Sequence, residues 1–375
     1  MKNKVKIRII LLLVFGLVLA FVGCRSGNEG KIVFSSRSES KTNTSYLYSM
    51  NLDGSNLKRL TYWYHPMPYH NIWSADGKIL ACVEYFEDTQ EGWLSVVDTD
   101  TGTHRKLLDI TDLNVESIAL SPSGKTIVLS MDSTRVTRIE TPKGSTVHVE
   151  IIKEFDMDLF TVNVKTGEMK RLTDTRDVME KWPSYSPDGR QIAFVGRIDT
   201  ETMKNVPRHV FIMDSDGNNR RLLAHHTEGQ FVFNPDFRWS PDGSRIAYHL
   251  YNNSLSDNDH YTDVFMIDVK QGILTNLTNS TYAIEAEPSW SPDNRKIAFG
   301  SGSRQITIID LEDGIVSSVN MTGSSPSWTP DGKGFIFTNS RNVFELMAVD
   351  ATGSNLRTVA RTGNIRISQP FWLAD

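Results

Sequence analysis

The sequence predicts an all-β chain built from repeated four-stranded antiparallel units. A Trp-Ser-Pro-Asp-Gly string recurs along the chain, and short apolar runs follow each copy. Turn residues, among 25 Gly and 14 Pro in all, separate these runs. Runs rich in aromatic and β-branched residues and bounded by Gly, Pro and Asp are typical of strands joined by tight turns. A four-stranded unit repeated every 38 to 65 residues indicates a β-propeller.

Each repeat contains the same four runs in the same order. The recurring string is followed by an apolar run such as 190–195, then by a second run that ends at Asp, such as 210–214. A Gly turn and a short basic run, such as 170–173, close the unit, which forms an antiparallel meander. The first residues of the seven copies, the last of them truncated, are Trp73, Leu120, Tyr185, Trp239, Trp290, Trp328 and Trp372.

The two ends of the repeat region predict how a ring would close. Residues 31–34 read as a second strand without its first strand, and residues 369–372 read as a first strand without its continuation. We expect the two segments to pair, because an unpaired sheet edge favours aggregation. Six whole units and one split unit give seven blades, so residues 31–375 are predicted to form one seven-bladed β-propeller.

The first 23 residues have the pattern of a lipoprotein signal peptide. Four basic residues precede an apolar run of 14 residues at 9–22. A membrane span needs about 20 residues, whereas a signal peptide needs fewer. The run ends at Cys24, in a Phe-Val-Gly-Cys sequence that resembles a bacterial lipobox. The resemblance implies lipidation of Cys24 and leaves 24–30 as a flexible tether, which places the mature chain outside the cytoplasm as a membrane-anchored lipoprotein.

Charge and cysteine content argue against a nucleic-acid partner and against an internal disulfide. Without the four basic residues of the leader, 36 Lys and Arg face 45 Asp and Glu, a net charge of −9 that argues against a nucleic-acid partner. With lipid on Cys24, the second cysteine, Cys82, has no disulfide partner and is predicted to be a buried, inert thiol.

The repeat resembles the TolB-like β-propeller repeat family. The resemblance rests on the tandem Pro-x-Trp-Ser-Pro-Asp-Gly strings followed by Lys/Arg-Ile-Ala-Phe runs, and it covers essentially all of 31–375. Because the propeller region begins at residue 31, we expect no TolB-type N-terminal domain ahead of it. The shared residues shape turns, so the resemblance implies a fold and leaves function to the loops.

The long loops at one end of the units carry the candidate binding residues. Two connections between units, 62–70 and 225–233, hold unusual numbers of aromatic and His residues. Either these residues pack the junctions between blades, or they line a groove for a protein or small ligand. The candidate binding residues are Trp63, Tyr64, His65, Tyr69, His70, His225 and His226.

No catalytic residue, metal ligand set or cofactor motif is predicted. The His residues have no familiar ligand spacing, and no nucleophile elbow, phosphate loop or Cys-x-x-Cys is present. The sequence favours a non-enzymatic binding or assembly module, lipid-anchored outside the cytoplasm, with its partner on the long-loop side. The alternative is a metal-dependent polysaccharide lyase of the oligogalacturonate-lyase kind, whose family resembles this repeat and uses His residues in the propeller mouth.

The lipobox hypothesis makes a direct prediction about Cys24. Cys24→Ser removes the thiol that would carry the diacylglycerol, so the variant should lose labelling by radioactive palmitate and should differ from the parent in its processing, which its mass on a gel would show. Retention of the label and of the parent's processing would contradict lipidation at this residue.

Overall fold

A computed structural model of the chain describes residues 31–37, 45–51, 53–61, 72–86, 91–132, 157–175, 178–198, 208–226, 230–232, 235–253, 260–279, 286–301, 305–363 and 365–373. Within these ranges the elements of regular structure are β-strands, with no α-helix among them. The prediction of an all-β fold is confirmed for this part of the chain.

The first three sheets follow the predicted meander. The sheet that joins both ends of the described chain has the order β27 (Ser368–Leu373), β1 (Lys31–Arg37), β2 (Ser45–Asn51) and β3 (Lys58–Arg59). The second has three strands, β4 (Ile79–Phe86), β5 (Glu91–Asp98) and β6 (His104–Asp109). The third consists of β7 (Val115–Leu120), β8 (Thr126–Asp132), β9 (Met157–Asn163) and β10 (Met169–Arg171).

The other three sheets complete the repeat region. The fourth consists of β11 (Val178–Tyr185), β12 (Gln191–Ile198), β13 (Arg208–Asp214) and β14 (Arg221–Ala224). In the fifth, the short strands β15 (Gln230–Phe231) and β16 (Arg238–Trp239) both pair with β17 (Arg245–Asn253), which β18 (His260–Asp268) and β19 (Leu274–Asn276) follow. The sixth has seven strands: β20 (Ala286–Trp290), β21 (Lys296–Gly300), β22 (Gln305–Asp310), β23 (Val316–Trp328), β24 (Gly334–Asn339), β25 (Glu345–Asp350) and β26 (Arg357–Arg361).

The count of seven separate four-stranded sheets is wrong for the described strands. Five sheets have four or more strands, and one has three. Two features cause the difference. The continuous strand β23 pairs with β22 through Val316 and with β24 through Trp328, so it joins two repeats into one sheet. Among the described residues before β4, which begin at Ile72, the expected first strand is represented by a single bridge between Trp73 and Leu80.

The first and last described strands pair with each other. β27 runs antiparallel to β1, with Lys31 opposite Leu373 and Val33 opposite Phe371. The register shifts beyond Val33, where a bulge enters the pair. The sheet therefore combines segments from opposite ends of the chain.

Antiparallel connectivity gives the array two distinct ends. Turns from first to second strands and from third to fourth strands lie at one end, which we call the short-turn face. Connections from second to third strands and from one repeat to the next lie at the other end, which we call the loop face. Neighbouring first strands contact one another, as β7 contacts β11 and β20 contacts β23, so they form the inner edge of the array.

The Ser-Pro-Asp-Gly string is a turn with its own hydrogen bonds. The Ser186 hydroxyl donates to Asp188 Oδ1 at 2.6 Å and accepts from the Gln191 backbone N–H at 2.9 Å. Gly189 takes the left-handed conformation, with φ of 71°, that the turn requires. The Ser186 hydrogen bond lowers the pKa of Asp188 below its ordinary value. The string therefore has a structural role in connecting the first two strands.

The threonine at the end of the basic run holds the fourth strand of its repeat against the third strand. The backbone N–H groups of Leu47 and Leu159 donate to the hydroxyls of Thr61 and Thr173, at 3.0 and 2.9 Å. Each bond ties the end of a fourth strand to the start of the third strand and satisfies a buried donor. This explains why a Leu-Thr pair ends the basic run.

The tryptophan of the repeat bridges neighbouring repeats. The indole N–H of Trp290 donates to the Arg238 carbonyl at 2.8 Å, and that of Trp328 donates to the Ser289 carbonyl at 3.1 Å. Both tryptophans are buried. The core consists of layers between sheets, and one hydrophobic cluster contains residues of the first three sheets. Each sheet thus buries apolar side chains on both faces.

A buried carboxyl group lies between the third and fourth sheets. Glu180 of β11 is 0% exposed and accepts hydrogen bonds from the hydroxyls of Thr173 and Thr175. The Arg220 guanidinium lies 3.6 Å from its Oε1. Burial raises the pKa of Glu180 from 4.5 to about 7, although the threonines and Arg220 favour the charged form.

This raised pKa makes part of the fold's stability depend on pH. The folded state holds the Glu180 proton more tightly than the unfolded state, so this contribution is complete below about pH 4.5 and disappears as pH rises through 7. The loss is on the order of 3 kcal/mol. We expect the free energy of unfolding of Glu180→Gln, measured in urea, to lack this fall between pH 5 and 8.

Glu168→Gln at an exposed position is the matched control, and it should keep the parent's pH profile. If Glu180→Gln follows that profile too, the buried proton is not the cause.

Candidate functional site

Most of the predicted binding residues lie outside the described part of the chain. This applies to the lipidation candidate Cys24 and to the first aromatic segment, namely Trp63, Tyr64, His65, Tyr69 and His70. His225 and His226 are described, and they follow β14 where the fourth sheet leads to the fifth. The geometry of the loop face is therefore built from this second segment.

His225 and His226 belong to a three-histidine cluster that includes His209 of β13. The rings of His209 and His225 stack, with centroids 4.5 Å apart and planes inclined by 24°. The His226 backbone N–H donates to His209 Nδ1 at 3.2 Å. His225 is exposed, whereas His209 and His226 are buried. The cluster therefore presents one imidazole ring on a buried support.

Tyr248 holds the support in place from the neighbouring sheet. Nε2 of His226 lies 2.7 Å from the hydroxyl of Tyr248, which is 0% exposed in β17. Burial, together with the nearby His209 and His225, lowers the pKa of His226 to about 3. Burial also lowers the pKa of His209. Both buried rings are consequently neutral near pH 7, so the cluster is held by hydrogen bonding and ring stacking.

The fourth and fifth sheets also carry paired charged side chains. The Arg208 guanidinium lies 5.2 Å above the ring of Trp182, a cation–π distance. Arg238 donates from Nε and Nη2 to Asp236 Oδ2 at 3.1 and 3.0 Å.

His249 of β17 is buried close to this second pair. Burial lowers the pKa of His249, and the Asp236 carboxylate partly opposes that effect. The fifth sheet therefore carries several ionisable groups near the loop face.

The inner edge carries a second feature, a row of strained residues. Five non-glycine residues in first strands or just before them adopt the left-handed conformation, each three residues before the aromatic residue of its repeat. These five residues, which we call the inner row, are Trp182 (φ 52°), Asp236 (47°), Glu287 (59°), Ser325 (54°) and Gln369 (48°). Such conformations cost on the order of 1 kcal/mol each, and they are found most often at functional sites.

Three of these residues are hydrogen-bonded together across separate repeats. The Ser325 hydroxyl donates to Glu287 Oε2 at 2.6 Å, and the Gln369 amide donates to Glu287 Oε1 at 3.3 Å. The bonds join β20, β23 and β27 at the inner edge. The polar atoms of this edge are thus held in a fixed arrangement around the carboxylate.

The sequence analysis did not predict the inner row. The one local feature that its residues share, a following proline at four of the five positions, does not indicate a left-handed conformation. Trp182, Glu287, Ser325 and Gln369 each precede a proline. A residue before proline ordinarily avoids the helical region, so nothing local predicts a left-handed conformation. A register shift in the first strand, seen between Lys181 and Ser184, creates the conformation as a β-bulge.

The described residues contain no group of three or more His, Cys, Asp or Glu side chains arranged to hold a metal ion. In the histidine cluster, His209 Nδ1 and His226 Nε2 already have partners within the protein. The arrangement presents three groups suited to recognition. They are the exposed imidazole of His225, the guanidinium of Arg208 stacked on Trp182, and the fixed carboxylate of Glu287. No helix in the described ranges is long and apolar enough to span a bilayer.

Comparisons with known proteins agree with the repeat geometry. Residues 253–368 match the model of the TolB beta propeller domain family. The chain is 28% identical over 228 residues to the Tol-Pal system protein TolB of Francisella tularensis, covering 58% of this chain and 49% of that protein. It is 25% identical over 318 residues to dipeptidyl-peptidase 5 of Porphyromonas gingivalis, covering 60% of this chain and 44% of that protein. The chain thus spans about half the length of these curated relatives.

A solved structure supports the fold alone. Oligogalacturonate lyase in complex with manganese superposes with a TM-score of 0.53 at 17% identity, covering 82% of this chain and 87% of that one. The superposition shows a shared propeller architecture. The family match over residues 253–368, the TolB relative and the repeat motifs together show a TolB-like β-propeller.

Proposed function

We propose that the mature chain is an extracytoplasmic, lipid-anchored binding or assembly module whose protein or small-ligand partner docks on the loop face. The observation that carries this proposal is the exposed ring of His225 stacked on a buried support. His209 stacks on that ring, and hydrogen bonds link His209 to His226 and His226 to Tyr248. A preorganised side chain loses little conformational entropy on binding, which favours a recognition role.

The inner row extends the proposed surface towards the centre of the array. Glu287 is fixed by Ser325 and Gln369 from two other repeats, so its carboxylate needs no reorganisation to accept a donor from a partner. Backbone strain at these positions supports a functional role. The first aromatic segment, with Trp63 and Tyr69, belongs to the same proposed surface on sequence grounds, since rigid aromatic residues recur at binding hot spots.

The anchor and the ring are part of the same proposal. Lipid on Cys24 would retain the module at the outer side of a cytoplasmic membrane or at another extracytoplasmic membrane surface.

We further propose that the array is a closed ring of seven blades. Two blades would share β23, one would have the Trp73 bridge as its first strand, and the pair β1–β27 would close the ring.

The alternative is a metal-dependent polysaccharide lyase with His residues in the propeller mouth. The likeness to oligogalacturonate lyase concerns the fold, and no described group of side chains favours this reading. Elemental analysis of the purified chain separates the two functions, because a lyase of this kind would retain a stoichiometric divalent metal.

Site-specific photo-crosslinking in intact cells tests the docking face. p-Benzoylphenylalanine in place of exposed His225 should give a discrete crosslinked protein band, because this position lies at the centre of the proposed surface. The matched control replaces Lys165, which is also exposed but lies in a turn of the short-turn face, and should give no such band.

The same band from both positions, or a band from Lys165 alone, would contradict docking on the loop face. Adding Cys24→Ser to the His225 variant shows whether capture depends on the anchor.

A further inference from the structure

The exposed apolar side chains of the described residues share one location. Every large hydrophobic residue that is substantially exposed in the described ranges lies at or just before the start of a fourth strand, or next to the turn that leads to it. They are Leu57 (40% exposed), Met169 (38%), Leu222 (43%), Ile273 (55%), Ile315 (61%), Val316 (62%) and Leu356 (40%). Single exposed apolar residues are ordinary, but their recurrence at one position of the repeat calls for an explanation.

These residues form a rim on the short-turn face. Each lies within five residues after the left-handed glycine of the turn between third and fourth strands, namely Gly54, Gly167, Gly217, Gly272, Gly314 or Gly353. Six repeats contribute, and the exception is the β4–β6 sheet, where His104 follows Gly102. We call the seven residues the apolar rim.

The chain enters the propeller at this same face. Lys31 opens β1 at the short-turn end, and its ammonium group contacts the Asp100 carboxylate in the turn after β5. Lys58, next to Leu57 of the apolar rim, donates to the Asp100 carbonyl at 3.2 Å. Cys24 is seven residues before Lys31, and seven extended residues reach at most about 25 Å. Lipid on Cys24 would therefore keep the short-turn face close to the bilayer.

We propose that the apolar rim is a membrane-contact surface that rests on the headgroup layer of the bilayer in which Cys24 is anchored. The inference rests on the proposed lipid anchor and adds an orientation to it. The short-turn face lies on the membrane, and the loop face points away from it towards the partner.

The distribution of the rim fits a bilayer better than a protein partner. A protein interface needs a contiguous, well-packed apolar centre. The rim instead places one or two aliphatic groups on each of six repeats, a spread-out arrangement that suits a flat and laterally uniform surface. Two of the most exposed members, Ile273 and Val316, line a groove of about 490 Å³ between the fifth and sixth sheets.

Depth-dependent quenching tests this orientation. Acylated protein is reconstituted in phosphatidylcholine vesicles that contain spin-labelled lipid, with a fluorophore on a single introduced cysteine. Cys82 is fully buried and should stay unlabelled. Labels at Leu222→Cys and Leu356→Cys, on separate repeats of the rim, should be quenched at least about twofold more than a label at His225→Cys on the loop face. Equal quenching on both faces, or stronger quenching at position 225, would overturn the proposal.

A second variant tests the contact itself. The triple change Ile273→Ser, Ile315→Ser and Val316→Ser removes apolar groups that are already exposed, so folding should be preserved, which circular dichroism checks. Quenching of the Leu222→Cys label should fall towards the loop-face level. Undiminished quenching would mean that the tether alone sets the orientation, and it would refute the rim as a contact surface.

The mass of the purified chain tests the lipid anchor separately from the rim contact. A chain without acyl groups refutes the lipid anchor and this inference with it. An acylated chain with unquenched rim labels refutes the rim contact and leaves the anchor intact.

Discussion

The structure depends on one constraint: every sheet is apolar on both faces and must be covered on both. Ile246 and Tyr248 of β17 pack with residues of the fourth sheet, whereas Ala247 of the same strand packs towards the sixth. No repeat can bury its side chains alone, so stability arises between repeats. The bonds from Trp290 and Trp328 to carbonyls of the preceding repeat fix how closely neighbours approach, because a buried indole N–H requires an acceptor. Pairing of β1 with β27 likewise joins the first and last described strands in one sheet.

This constraint also explains where unusual chemistry accumulates. The short-turn face is occupied by repeated hydrogen-bonded turns such as that of Ser186 and Asp188, which leave little freedom for variation. At the inner edge, first strands from several repeats come together, so side chains far apart in sequence can meet, as Glu287 and Gln369 do. The histidine cluster lies at another meeting point, between β13 and β17. The partner surface is proposed at these places because side chains of different repeats meet there on a rigid scaffold.

Much of the fold could be predicted from sequence because its determinants are local. The Ser-Pro-Asp-Gly turn, the Leu-Thr end of the fourth strand and the unmatched strands at the two ends are each visible in short segments. The candidate site could not be predicted in the same way. His225 and His226 were recognised as unusual, but the role of His209 as their support depends on strand register. The bonds of Glu287 depend on three separate repeats. The merging of two units through β23 was also missed, since pairing at both ends of one long strand is a tertiary property.

The central claim is that the two ends of the repeat region form one sheet as stable as those in the middle of the chain. Hydrogen exchange followed by mass spectrometry measures this directly, because protection reports the free energy of opening for each segment. Peptides covering Lys31–Arg37 and Ser368–Leu373 should exchange as slowly as the peptide covering Gln191–Ile198, and all three should lose protection together as denaturant is added. Rapid exchange of the two end peptides, with the Gln191–Ile198 peptide still protected, would show that the ends fray independently and would contradict the account.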